Sequence, residues 1–123
     1  MEDFNFDEYF ESRKDIAKSY RVTLYRTKMN KARAQDVLER VRLGNRFKLK
    51  IEMKSFKHGY HDAEIWTELV EITEVGFVGK ILNKPSMVWI HDYKLGSMIT
   101  YEPQNIIGEQ GYRDHEPKIP EGY

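Results

Sequence analysis

The sequence has no cysteine among its 123 residues. Disulfides and thiolate metal sites are therefore excluded, and a reducing cytoplasm is the natural compartment. No apolar run is long enough to span a bilayer, so no membrane association is expected. The opening residues Met1-Glu2-Asp3-Phe4 are acidic, unlike the basic and then apolar start of a secretory signal. There is no glycine-rich phosphate loop. Ser86 and Ser97 lack the setting of a nucleophile elbow. No repeat or low-complexity tract interrupts the chain. Proline is scarce, and two of the four prolines fall after Gly108 beside three glycines. Residues 108–123 accordingly read as an irregular tail.

What remains is the material of one domain, residues 1–107, large enough to bury a single core without staples. Aromatic residues make up 13% of the chain, which argues against disorder. Net charge is zero, but its distribution is uneven. Residues 1–19 carry −3, residues 20–58 carry +9 and residues 59–123 carry −6. A basic segment of that size can meet nucleic acid, or it can fold against the acidic segments. The second arrangement is favoured, because acidic neighbours weaken any long-range field toward phosphate.

The pattern predicts a helix over 5–19, with Asn5 as N-cap and Glu8 completing a capping box. Residues 20–26 alternate as a short strand, with a continuation of the first helix as the alternative. A second helix over 30–43 places Ala34, Val37, Leu38 and Val41 on one face, with Gly44 ending it. Phe47, Leu49, Ile51 and Met53 alternate with Lys48, Lys50, Glu52 and Lys54, the pattern of a strand with one face in water. Its lysines suit an edge strand. Residues 57–62 read as a loop. Strands are then expected over 64–72, 75–82, 87–91 and 97–101. The fold class is α+β: two N-terminal helices packed on a curved, mainly antiparallel sheet of about five strands, with a partly closed small barrel as one form of it.

The stretch 64–107 carries a recognisable order of signals: Glu64 and Trp66, then Glu71-Ile72, Gly79 with Ile81-Leu82, Asn83-Lys84-Pro85, and Leu95-Gly96. This order resembles the YegJ-like family of small, mostly bacterial proteins of unknown function, over roughly residues 30–107. Ser97 stands where that family often has an acid. The resemblance implies an α+β fold with a curved antiparallel sheet. It implies no activity, and no catalytic residues carry over.

The residues themselves point to no catalytic or metal constellation and no cofactor. His58 and His61, beside Asp62, have a ligand-like spacing but no second pair to complete a zinc site. The reading leans away from an enzyme. If Val88 and Ile90 point inward on a strand, Trp89 and His91 are exposed together beside Tyr93, the kind of anchor that binds a protein partner or a second copy. The first reading is thus a cytoplasmic, non-catalytic interaction module using Trp89, His91 and Tyr93. The alternative is a nucleic-acid binder with Arg33, Arg40, Arg42, Lys48, Lys50 and Lys54 on phosphate. A small enzyme of unknown activity is the third.

Overall fold

The computed structural model describes the backbone of residues 6–110 and the side chains of residues 12–110. Asn5 lies outside that range. Helix α1 (Phe6–Lys18) leads into strand β1 (Arg21–Leu24) and helix α2 (Lys31–Arg40). Strands β2 (Arg46–Ser55), β3 (Gly59–Thr73) and β4 (Gly76–Ile81) follow as a meander, then a short helix α3 (Val88–His91). Strand β5 (Met98–Tyr101), a 3-10 turn (Pro103–Asn105) and strand β6 (Ile106–Gln110) complete the described chain.

All strand pairs are antiparallel, in the order β1-β2-β3-β4-β5, with β6 returning to β2. One edge of β2 is bound by β3 along its whole length. Its other edge is divided between β6, on Arg46–Leu49, and β1, on Ile51–Lys54. A strand that serves three partners forces the sheet to curl, and the result is a half-barrel. The expected edge strand is therefore the central one. Its lysines line the outer face rather than protect an edge.

The core follows from β2's alternation. Phe47, Leu49, Ile51 and Met53 are buried with Ile65, Leu69, Phe77 and Ile81 from the neighbouring strands. Phe47 stacks on Phe77 at 6.2 Å between ring centroids, and Tyr101 meets their edges at 6.3 and 5.6 Å. Such ring pairs add to area burial. Gly79 makes room for that third ring. A Cβ there would lie 2.9 Å from Tyr101 Cε1 and 3.0 Å from Thr67 Cβ.

Several expectations need correction. A pair of N-terminal helices is not matched as stated. The described residues hold three short helices, and β1 separates the first two. Helix α2 starts as expected, its N-cap Asn30 accepting the Arg33 N–H at 2.8 Å. It stops at Arg40, because Val41 is already extended. Residues 59–62 belong to β3, since Gly59 at φ 85° turns the chain tightly enough for Tyr60 to pair with Lys54. Residues 108–110 extend β6 into what reads as the tail. Segment 87–91 is helical, not a strand. Left-handed Met87 (φ 57°) and Asp92 (φ 62°) bracket it, and the Asp92 N–H donates to the Val88 carbonyl at 2.8 Å.

Truncating the aromatic cluster tests this core. Phe77→Ala should lose roughly 3–5 kcal/mol in urea unfolding. Phe56→Ala, at a fully exposed position, should change stability by no more than about 0.5 kcal/mol.

Candidate functional site

Trp89, His91 and Tyr93 do not form an exposed trio. On a helix a two-residue step is about 200°, so His91 turns away from Trp89. Trp89 is 38% exposed, with the Arg13 guanidinium of α1 4.6 Å above its ring, while His91 is buried at 7%. His91 Nε2 lies 2.7 Å from the Ser86 carbonyl, and its Nδ1 accepts the Tyr93 N–H at 2.9 Å. With Nδ1 accepting, the proton sits on Nε2 and donates to Ser86. The ring is thus a neutral clamp across α3, and the Tyr93 ring stacks on it at 5.7 Å.

Burial lowers the His91 pKa, against the opposing pull of the Ser86 carbonyl and the Asp92 charge. A second ring proton would also face the Tyr93 N–H. The folded protein therefore takes up this proton less readily than the unfolded chain. Stability is whole above the ordinary imidazole value of about 6.5 and falls as pH drops below it. Urea unfolding across about pH 5 to 8 should show this loss, and the slope in that window should flatten in His91→Gln relative to the parent.

The six basic residues split between two sides of the sheet. Lys48, Lys50 and Lys54 share the outer face of β2, over the rings of Trp66, Tyr25 and Tyr60 at 5.9, 5.0 and 6.0 Å. Acidic groups interleave with them: Lys48 bonds Glu64 at 2.7 Å, and Lys54 lies 3.9 Å from Glu52. The Tyr60 hydroxyl lies 3.0 Å from Glu52 and 3.2 Å from Asp62. Desolvation, then those two carboxylates, push its pKa up to about 12. Arg40 pairs instead with Asp36 and with Glu109, a residue in register with core-facing Phe47. Arg33 and Arg42 are exposed on α2 and just after it. A β-bulge at Val70 resets the side-chain phase of β3. Glu71 therefore sits on the same outer face as Glu64 and Glu68.

Among the described residues, no three His, Asp or Glu side chains converge as a metal site. His58 and His61 pack on the Tyr20 ring at 6.2 and 5.8 Å. The concave feature lies elsewhere, where the β3–β4 turn faces α2 and the 3-10 turn. Two open grooves of about 510 and 240 Å³ meet there, sharing Val75, Gly76 and Glu102 in their walls. Val75 stands 85% exposed and Leu38 43%. The floor is held firmly. Asn105 Oδ1 accepts the Glu102 N–H at 2.8 Å, its Nδ2 donates to the Tyr25 carbonyl at 3.1 Å, and Arg26 bonds Glu102 at 2.9 Å. Gly76 is needed for closure, because a Cβ there would meet the Tyr101 carbonyl at 2.6 Å. Among the described residues, the charged side chains lining the grooves are Glu74 and Glu102.

The sequence reading passed over this groove. One signal was available: Val75 is an apolar residue at the tip of Thr73-Glu74-Val75-Gly76, where turns favour polar ones. No family model, no curated protein and no solved structure matches the chain.

Proposed function

We propose that the protein is a non-catalytic protein-interaction module, with the groove between α2, the β3–β4 turn and the 3-10 turn as its contact surface. The observation that carries this reading is the convergence of exposed Val75 and Leu38 on one rigid, acidic groove. Apolar side chains held in a concavity on fixed backbone give a partner anchoring area at little ordering cost. Trp89 becomes a secondary element, since Arg13 already covers one face of it. A cytoplasmic setting, which the missing cysteines permit, belongs to the same proposal.

Membership of the YegJ-like family is proposed alongside. Three of its signature positions meet here: the Asn83 side chain accepts the Trp66 N–H at 2.7 Å and donates to the Glu64 carbonyl at 3.5 Å. The shared motif is then a structural staple that ends β4 against β3, consistent with a family defined without catalytic residues.

A second reading, single-stranded nucleic acid on the outer face of β2, draws on the lysines over Tyr25, Tyr60 and Trp66. The interleaved Glu52, Asp62 and Glu64 oppose it. A fluorescent oligonucleotide titrated at several salt concentrations checks this reading. It calls for affinity that drops steeply with salt and weakens in Lys50→Glu.

The interaction module is tested by photo-crosslinking in cells that express the protein. A benzophenone side chain at Val75 or Leu38 should give a discrete protein adduct, and one at Phe56 should give none. Adducts at Phe56 alone, or at no position, would remove the groove as the contact surface.

A further inference from the structure

The groove continues onto a sheet edge. Among the described residues β5 pairs only with β4, in the register Phe77↔Tyr101 to Lys80↔Met98. The Ile81 N–H donates to the Ser97 carbonyl at 2.9 Å, which places hydrogen-bonded pairs at 97, 99 and 101. The alternation of an antiparallel ladder then turns the backbone groups of Met98 and Thr100 away from β4. Both side chains are exposed, Met98 at 57%. From Ser97 to Tyr101 there is no charged residue. Exposed edges are normally guarded by charge, proline or a bulge. The opposite edge, β1, starts with Arg21. Thr100 and Tyr101 also line the larger groove, so the bare edge and the apolar concavity are one continuous surface.

From this we infer that β5 accepts an extended partner segment as an added antiparallel strand, one that carries apolar side chains for the groove and a basic residue for Glu74 and Glu102. Main-chain bonds to Met98 and Thr100 supply affinity, and alternate side chains supply selectivity. The charge assignment follows from the lining, which among the described residues holds two carboxylates and no cation. Glu102 is bonded to Arg26 at 2.9 Å but remains 46% exposed, and Glu74 is exposed in the turn. The inference rests on the interaction-module reading and names its partner chemistry.

The probe is a synthetic peptide of about nine residues alternating valine and threonine, with lysine at both ends, and a counterpart with glutamate at both ends. Fluorescence anisotropy against the whole chain should show the lysine peptide binding at least about tenfold more tightly than the glutamate one. Glu74→Lys should erase that preference. Thr100→Pro removes an outward N–H without touching the β4 ladder, and should abolish binding. Met98→Lys, which guards the edge with charge, should do the same if the proline variant misfolds by circular dichroism. Equal affinity for the two peptides, or full binding by folded Thr100→Pro or Met98→Lys, would overturn strand addition. So would a dimer seen by sedimentation that these variants dissociate, because the edge's occupant is then a second copy. Groove adducts at Val75 that persist in Thr100→Pro would leave the interaction module standing while strand addition fails.

Discussion

The structure depends on β2 carrying hydrogen bonds along both edges to three strands. Ten residues alternate so regularly that every second one enters the core, from Phe47 to Met53. Because β6 and β1 divide one edge between them, the sheet cannot stay flat, and its two halves curl toward each other. The curl brings Phe77 and Tyr101 onto Phe47 from strands distant in sequence. Had β2 been an edge strand, as its lysines suggest in isolation, there would be no enclosed aromatic cluster and no wall for the groove.

That same geometry sets part of the basic segment against part of the acidic one. The basic segment supplies β2 and the acidic segment supplies β3, and the hairpin sets them in register. Lys50 faces Glu64 and Lys54 faces Tyr60, while Glu52 faces Asp62. Carboxylates from both strands interleave with the lysines on the outer face, with aromatic rings between them. Surface pairs of this kind add little stability, and Asp62 and Glu64 offset only part of the +9 of residues 20–58 on this face. At the groove the described lining carries Glu74 and Glu102, and Arg26 pairs with Glu102 from beside it at 2.9 Å.

Much of this architecture was legible in the sequence. Strict alternation fixed β2, the spacing of Ala34, Val37 and Leu38 marked α2, and the turn residues separated β3, β4 and β5. Long-range pairing was not legible, since alternation says which face is buried and not which strand lies alongside. The segment 87–91 shows a different limit. The four residues Val88-Trp89-Ile90-His91 fit a strand or a helix equally well. The choice is made by His91, whose ring bonds backbone on both sides of the turn. A side chain that closes a loop by tautomer-specific hydrogen bonds leaves no periodic trace. The bulge at Val70 is equally silent, and one inserted residue was enough to move Glu71 to the other face.

The reassignment of the site from Trp89 to Val75 rests on what exposure means for each. A partly exposed tryptophan on a helix of four residues, already stacked under Arg13, has much of its favourable contact made within the molecule. Binding on the face that Arg13 covers must first displace a cation–π contact, worth roughly 0.5–1 kcal/mol at an exposed site. Val75 has no comparable cover, being 85% exposed at the tip of a turn whose own Thr73 hydroxyl already accepts the Val75 and Gly76 N–H groups at 3.3 and 3.1 Å. The backbone there is fixed while the apolar side chain is open. A rigid mount, an open apolar tip and an unguarded strand edge reduce the entropy a partner must give up on docking. Trp89 offers a larger ring on a helix that His91 also clamps, but it lacks the open apolar tip and the adjoining strand edge, and the proposed site is placed at Val75 for those two reasons.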